Sequence, residues 1–237
     1  MDDSALKYLG ERISRAGIPL VFMGVNNNPR VYFKDGNLPN NLAGILERPL
    51  VDANVRLIYK LLPPRAKHIL MMMDAGPTSQ AFVNSTLDGT TSVTLDDITL
   101  SVWMTENYSD WQAKVNLLHK QEYDALIIGS YANLRDINNQ QVPDIEIAEW
   151  TSEHSMIPMF TFWSHGVGKR KSIGGVVISG YDQGAKSAEA VNSILLEDHY
   201  PFVEAPRNGD FLFSQSELAR WNITLPHYLR RRADLIE

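Results

Sequence analysis

The chain has 237 residues, 44% of them hydrophobic and 21% charged, with a formal net charge of −6. These values fit one large globular domain or two small lobes, and the acidic balance argues against a nucleic-acid or anionic-membrane binder. The absence of cysteine excludes disulfides, thiolate metal sites and a cysteine nucleophile, and it fits an exported bacterial protein. No apolar run approaches the roughly 18 residues of a membrane span. Met1-Asp2-Asp3-Ser4 has neither the basic start nor the apolar core of a signal peptide. Taken literally, the chain stays in the cytoplasm unless a leader has been removed or the start is missing.

Apolar positions Ala5, Leu6, Leu9 and Ile13 predict a helix over 3–16, stopped by Gly17. The nearly continuous apolar run 18–25 reads as a strand buried on both faces of a parallel sheet. Asn26-Asn27-Asn28-Pro29 breaks it. The Asn-, Gly- and Pro-rich stretch 29–41 reads as the boundary between lobes. A helix over 51–62 follows, ended by Pro63-Pro64, then a strand over 68–73, a turn at 74–77 and a helical stretch over 80–87. Further strands are predicted at 98–103, 125–128, 157–162, 175–178 and 211–213, and further helices at 111–120, 143–153, 183–196, 215–221 and 226–236. Met71-Met72-Met73 lies on a strand and reads as core packing rather than a soft-metal site.

Strands alternating with helices specify an α/β fold with a mainly parallel sheet. In such folds the loops after the strands gather at one edge, and ligands bind there. The candidate loops are therefore 26–29, 74–79, 129–133 and 163–166.

Catalytic and metal chemistry finds no foothold. The six histidines, His68, His119, His154, His165, His199 and His227, show no i, i+4 pair and no HExxH context. Gly166 to Lys171 lacks the spacing of a phosphate loop. Gly129-Ser130-Tyr131 lacks the Gly-x-Ser-x-Gly frame of a nucleophile elbow. Lys169-Arg170-Lys171 reads as a solvated turn, and Arg230-Arg231-Arg232 as a charge cluster at a helix C-terminus. The expectation is no catalytic residue, no metal and no cofactor.

The order of elements resembles the ABC-transporter substrate-binding family that includes tryptophan- and tyrosine-binding proteins. Residues 18–25, IPLVFMGV, resemble its "IPVVFAGV" strand, and 41–45, NLAGI, its "NVTGV". Residues 57–73, LIYKLLPPRAKHILMMM, are similar to its helix-Pro-Pro-Ala-Lys-strand unit. Tyr181 to Leu195 resembles its late helix, and Leu218 to Pro226 with 232–237 resembles its "AKKLGLTIP…LLARADEVIE" end. The likeness covers nearly the whole chain, in order.

The resemblance implies an α/β, two-lobed type I periplasmic-binding-protein-like fold, with parallel sheets and flanking helices. The first lobe is expected to be incomplete, because the family has several strand–helix units before "IPVVF". It implies residues 1–40 with 175–237 as partial lobe one and 41–174 as lobe two. It also implies non-catalytic binding of a small solute in an interlobe cleft, by hinge closure, with an ABC permease as partner and a periplasmic location. The matching ligand positions are Asn26 and Asn27, Asp74 and Ser79, Ser130 and Tyr131, Trp163 and Ser164, and Tyr181. Asn and Ser supply donors and acceptors, and the aromatic residues stack on a flat or apolar part of a ligand. An amino acid, a sugar or a similar solute is expected. The acidic groups of the family's loops are replaced at 26–28 and 129–132. A ligand-sensing domain of a signalling protein is the alternative. An exposed sheet edge and apolar patch in an incomplete lobe would favour a homodimer.

Overall fold

The structure, a computed structural model, describes residues 3–62, 66–118, 123–197, 202–205 and 208–237. In chain order, α1 (Asp3–Ala5) runs through a π-helical turn at Leu6–Gly10 into α2 (Glu11–Arg15). Then come β1 (Leu20–Val25), β2 (Leu42–Leu46), α3 (Val51–Leu61), β3 (His68–Asp74) and α4 (Pro77–Thr86). These are followed by β4 (Ser92–Leu95), β5 (Ile98–Thr105), α5 (Tyr108–Leu117), β6 (Ala125–Ile128), α6 (Asp144–His154) and β7 (Met159–Thr161). The last part holds β8 (Gly174–Val177), α7 (Gly180–Glu197), β9 (Val203–Glu204), β10 (Asp210–Ser214), α8 (Gln215–Arg220), α9 (His227–Arg230) and β11 (Ala233–Ile236). The expected helix stops at Pro63-Pro64 and at His119-Lys120 lie outside the described residues.

The chain divides into two units: unit 1 is 1–48, 80–89 and 179–208, and unit 2 is 49–79, 90–178 and 209–237. The boundaries differ from the expected 1–40 with 175–237 against 41–174, and strand pairing is the reason. β2 pairs with β1, which places 41–48 in unit 1. β10 pairs with β8 and β11, which places 209–237 in unit 2. The stretch 29–41 lies inside unit 1 rather than between lobes. It opens with a 3-10 turn at Pro29–Tyr32, where the Asn28 side chain accepts from the Arg30 N–H at 3.1 Å.

Unit 1 holds a parallel sheet in the order β1-β2-β9. Its core gathers Leu6 from the N-terminal helix with Leu20, Phe22, Val25, Phe33 and Leu42. α7 packs on β1 and β2, and Ala190 and Ile194 are its buried apolar positions. β1 is not buried on both faces, since Met23 is 43% exposed.

Unit 2 holds a five-stranded sheet in the order β4-β5-β3-β6-β7. The four strands β5, β3, β6 and β7 are parallel, and β4 joins as an antiparallel edge. The continuous apolar burial of Ile69 to Met73 and Ala125 to Ile128 is what a sheet covered by helices on both faces demands. α5 and α6 close one face through Trp111, whose indole N–H donates to Thr151 Oγ1 at 2.9 Å in the buried core. A second sheet, β11-β10-β8, pairs β10 antiparallel to β8 and parallel to β11. The helix expected over 226–236 is therefore a short helix followed by a strand. Register with β10, from Phe211↔Ala233 to Ser214↔Ile236, overrides the local helical spacing.

β8 also runs beside β7. The Ile173 N–H donates to the Met159 carbonyl (2.8 Å), and the Ile178 N–H to the Phe162 carbonyl (3.0 Å). Between those two bonds the Asn54 carboxamide of α3 serves as the partner of Val176. It donates to the Val176 carbonyl at 2.8 Å and accepts from the Val176 N–H at 2.9 Å. Gly175 makes room for this, because a Cβ there would lie 2.4 Å from both Asn54 Oδ1 and the Thr161 carbonyl.

Candidate ligand-binding site

The parallel strands bring several predicted residues to the C-terminal edge of the unit 2 sheet. Asp74 ends β3, and Ser130 and Tyr131 follow β6, its neighbour. Asp74 is fully buried. Its Oδ1 accepts from the Gly76 N–H (2.8 Å) and the Ser79 hydroxyl (3.1 Å). Its Oδ2 accepts from the Ser130 hydroxyl (2.8 Å) and the Asn133 N–H (3.2 Å). The Asn133 amide nitrogen adds a longer approach at 3.5 Å. Charge-assisted bonds of this kind are about twice as strong as neutral ones. The carboxylate thus ties the loop after β3 to the loop after β6. The Asp74 N–H adds a bond of 2.7 Å to the Ser130 carbonyl. Asp74 and the equally buried Ser79 hold the shelf together and do not face solvent.

Two aromatic residues lie beside the shelf, both buried, and Tyr131 packs into the core with Leu70 and Met72. Tyr131 and Trp163 are 7% and 8% exposed. Burial, helped by the Asp144 carboxylate, pushes the Tyr131 hydroxyl up to about 12, so it stays a neutral donor. Trp163 meets Phe162 edge to face, with centroids 5.4 Å apart, and lies nearly parallel to His165 at 6.5 Å. Burial holds the His165 imidazole below its ordinary value; Asp144 opposes this and Lys171 adds to it. Asp144, at the start of α6, thus acts on both Tyr131 and His165. Ser164, half-buried, opens the 3-10 turn that carries His165. Asp144 and His165 are absent from the predicted set. The signal was at hand, since His165 lies in a strand-end loop and Asp144 in the first turn of α6.

The remaining predicted residues lie in unit 1. Asn26 is 1% exposed. The Asn26 and Asn27 N–H groups donate to the Asp3 carboxylate at 2.8 and 3.0 Å, and the Tyr32 hydroxyl joins them at 2.8 Å. The Asn26 side-chain nitrogen donates to Glu47 Oε2 at 3.1 Å. Burial, opposed by the Asn26 bond and aided by nearby Asp3, raises the Glu47 carboxyl above the ordinary range. Arg48 donates to the carbonyls of Val25 (3.2 Å) and Asn27 (3.1 Å) and also to that of Asn26. Burial lowers the guanidinium from its usual value, with Asp3 opposing. Tyr181, in the first turn of α7, is 84% exposed and joins none of these groups. Asp3, Glu47 and Arg48 were not predicted. Glu47 and Arg48 follow the apolar run 42–46 directly, and the strand-end rule finds them once that run is read as a strand.

Among the described residues no group of three or more His, Asp or Glu side chains is placed to hold a metal. No described helix is long and apolar enough to cross a membrane.

No family model matches the sequence, and no curated protein does. Solved structures do match in fold. An ABC domain in complex with L-Trp from Streptococcus pneumonia superposes with a TM-score of 0.66 and 14% identity, over 100% of this chain and 78% of that one. A substrate-binding protein with adhesive properties from Clostridium difficile, ligand-free and open, gives 0.65 and 13% over 99% and 83%. A conserved domain protein from Vibrio cholerae gives 0.61 and 18% over 93% and 72%. The chain therefore has a mixed α/β fold, with mostly parallel sheets and flanking helices, of the periplasmic-binding-protein-like kind.

Proposed function

We propose that this chain is a non-catalytic binder of a small solute, acting outside the cytoplasm as the substrate-binding component of an ABC transporter. The observation that carries the reading is the shelf at the strand ends of unit 2. Asp74 fixes the loops after β3 and β6, with Ser130 and Tyr131 on the second, and Trp163 and Ser164 follow β7. An apolar group of the solute packs against the small exposed parts of Tyr131 and Trp163, and a polar group meets the Ser130 and Ser164 hydroxyls. The likeness to a protein complexed with L-Trp supports an amino acid as the first compound to try, with sugars after it. α7 exposes Tyr181, Leu195 and Leu196, which supports a protein partner; in the transport reading this is the permease. A second copy of the chain is the other partner on that surface, and the oligomeric state in solution reads it. If the partner is instead a signalling domain, the same solute binding serves sensing.

A thermal-shift screen of amino acids, sugars and nucleosides tests the binder. A ligand at 100 times its Kd adds about 2.7 kcal/mol, or roughly 5–10 °C in Tm for a chain of this length. No shift from any class would end the reading, and turnover of a binding compound would end its non-catalytic part.

A further inference from the structure

Two buried carboxamides in unit 1 leave their oxygens without partners. Asn26 is 1% exposed and Gln183 is 6% exposed. The Asn26 side-chain nitrogen donates to Glu47 Oε2 at 3.1 Å, and that of Gln183 donates to the Leu46 carbonyl at 3.2 Å. An ionised carboxylate and a carbonyl can only accept, so each amide must turn its nitrogen toward its partner. Asn26 Oδ1 and Gln183 Oε1 are then both buried with no hydrogen bond. Native folds rarely leave buried acceptors unpaired, and each such case asks what supplies the donor.

The two amides are anchored to consecutive residues, Leu46 and Glu47, at the C-terminal end of β2. That is the sheet edge where ligands bind in α/β folds. The local charge has the matching sign. Arg48 gives its N–H groups to the carbonyls of Val25, Asn26, Asn27 and Glu47. It is bonded to neither carboxylate in the cluster. Asp3 is occupied by the Asn26 and Asn27 N–H groups and the Tyr32 hydroxyl. Glu47 has one hydrogen bond, on Oε2, from Asn26. The site thus has acceptors in excess and one carboxylate short of donors.

We propose that the end of β2 recognises a cationic nitrogen group of the ligand, a primary ammonium or an amidinium, through Asn26 Oδ1, Gln183 Oε1 and the Glu47 carboxylate. This rests on the solute-binding reading and narrows its ligand. Such a group carries at least three N–H donors, enough for both amide oxygens and the carboxylate.

Titration calorimetry on the full chain tests it with paired compounds differing in the nitrogen group: L-tryptophan against indole-3-propionate, tryptamine against 3-ethylindole, and glucosamine against glucose. The nitrogen-bearing member of at least one pair should bind ten times more tightly or better. Glu47→Gln and Gln183→Met should each reduce that preference at least fivefold, while binding of the nitrogen-free twin stays within twofold. Should Glu47→Gln fail to fold by circular dichroism, Gln183→Met, which keeps side-chain length, carries the test. Equal binding of both members of every pair would overturn the inference and leave the solute reading standing. A preference that persists in the variants would overturn it as well. If none of the six compounds binds, the inference falls, and the solute reading is decided separately by the wider thermal-shift screen.

Discussion

Both units close the C-terminal end of a parallel sheet around a buried carboxylate, but the donors around the two differ. In unit 2 the carboxylate is Asp74, which stands on β3 itself. Two backbone N–H groups and two hydroxyls within 3.2 Å serve it. In unit 1 the carboxylate is Asp3, brought over from the first helix, and it serves Asn26, Asn27 and Tyr32. Around it two amide oxygens stay unpaired, and Glu47 sits partly desolvated. Matched donors and acceptors make the loops of unit 2 a fixed platform. In unit 1 the acceptors outnumber the donors, and two of them stay unpaired. The same device therefore builds a scaffold at one sheet edge and an unfilled demand at the other.

The largest effect should come from breaking the matched cluster. Asp74→Ala strands the Gly76 and Asn133 N–H groups and two hydroxyls, at about 1–3 kcal/mol for each donor that cannot find water. Since hydroxyls can re-aim, the expected loss is about 4 kcal/mol in urea unfolding. A loss below about 1 kcal/mol would mean that the loops hold without the carboxylate. Asn54→Leu comes next, at about 2–3 kcal/mol, because it leaves the buried Val176 N–H and carbonyl unpaired. Asn54→Asp makes the sharper test. It can still accept from Val176 but cannot donate to it, so recovery of full stability would show that the donation is dispensable.

These clusters also mark where the sequence was legible. Ile69 to Met73 and Ala125 to Ile128 are unbroken apolar runs, and they form buried strands within a residue or two of the expected ends. β4 was illegible because Ser92–Leu95 alternates exposed and half-buried positions at a sheet edge. It forms because Leu95↔Ile98 closes a hairpin over Asp96 and Asp97. β11 is not legible because Leu229 with Leu235 and Ile236 also suits helical spacing, and only pairing with β10 decides otherwise. The division into units depends on pairings such as Gly44↔Val203, which no local pattern carries. Asp74 was picked out as polar and strand-terminal, but the sequence does not say whether such a carboxylate faces its own loops or a ligand. Gln183 and Asp3 have no local signal at all; only the fold brings them to the ends of β1 and β2.

Asp3→Ala in unit 1 should cost about 1–2 kcal/mol, less than Asp74→Ala, because two of its three donors lie partly open to water. Equal losses at the two carboxylates, measured in the same urea titration, would erase the contrast between the units.

The smallest effect is the most specific to that contrast. Burial raises the Glu47 carboxyl in the folded chain above its unfolded value. Between those two values the folded state holds the extra proton, so stability falls as pH rises through that window. Above it, the ionised and desolvated Glu47 weighs against folding; below it, the penalty is gone. Glu47→Gln should therefore raise the unliganded Tm slightly at pH 8, and the gain should fade as the pH falls into the ordinary carboxylate range. The same substitution weakens binding of a nitrogen-bearing ligand. A variant that is more stable alone and weaker with ligand is what an acceptor held ready for a guest produces. A Tm that drops at pH 8 would instead make Glu47 a structural partner of Asn26 and remove the asymmetry from unit 1.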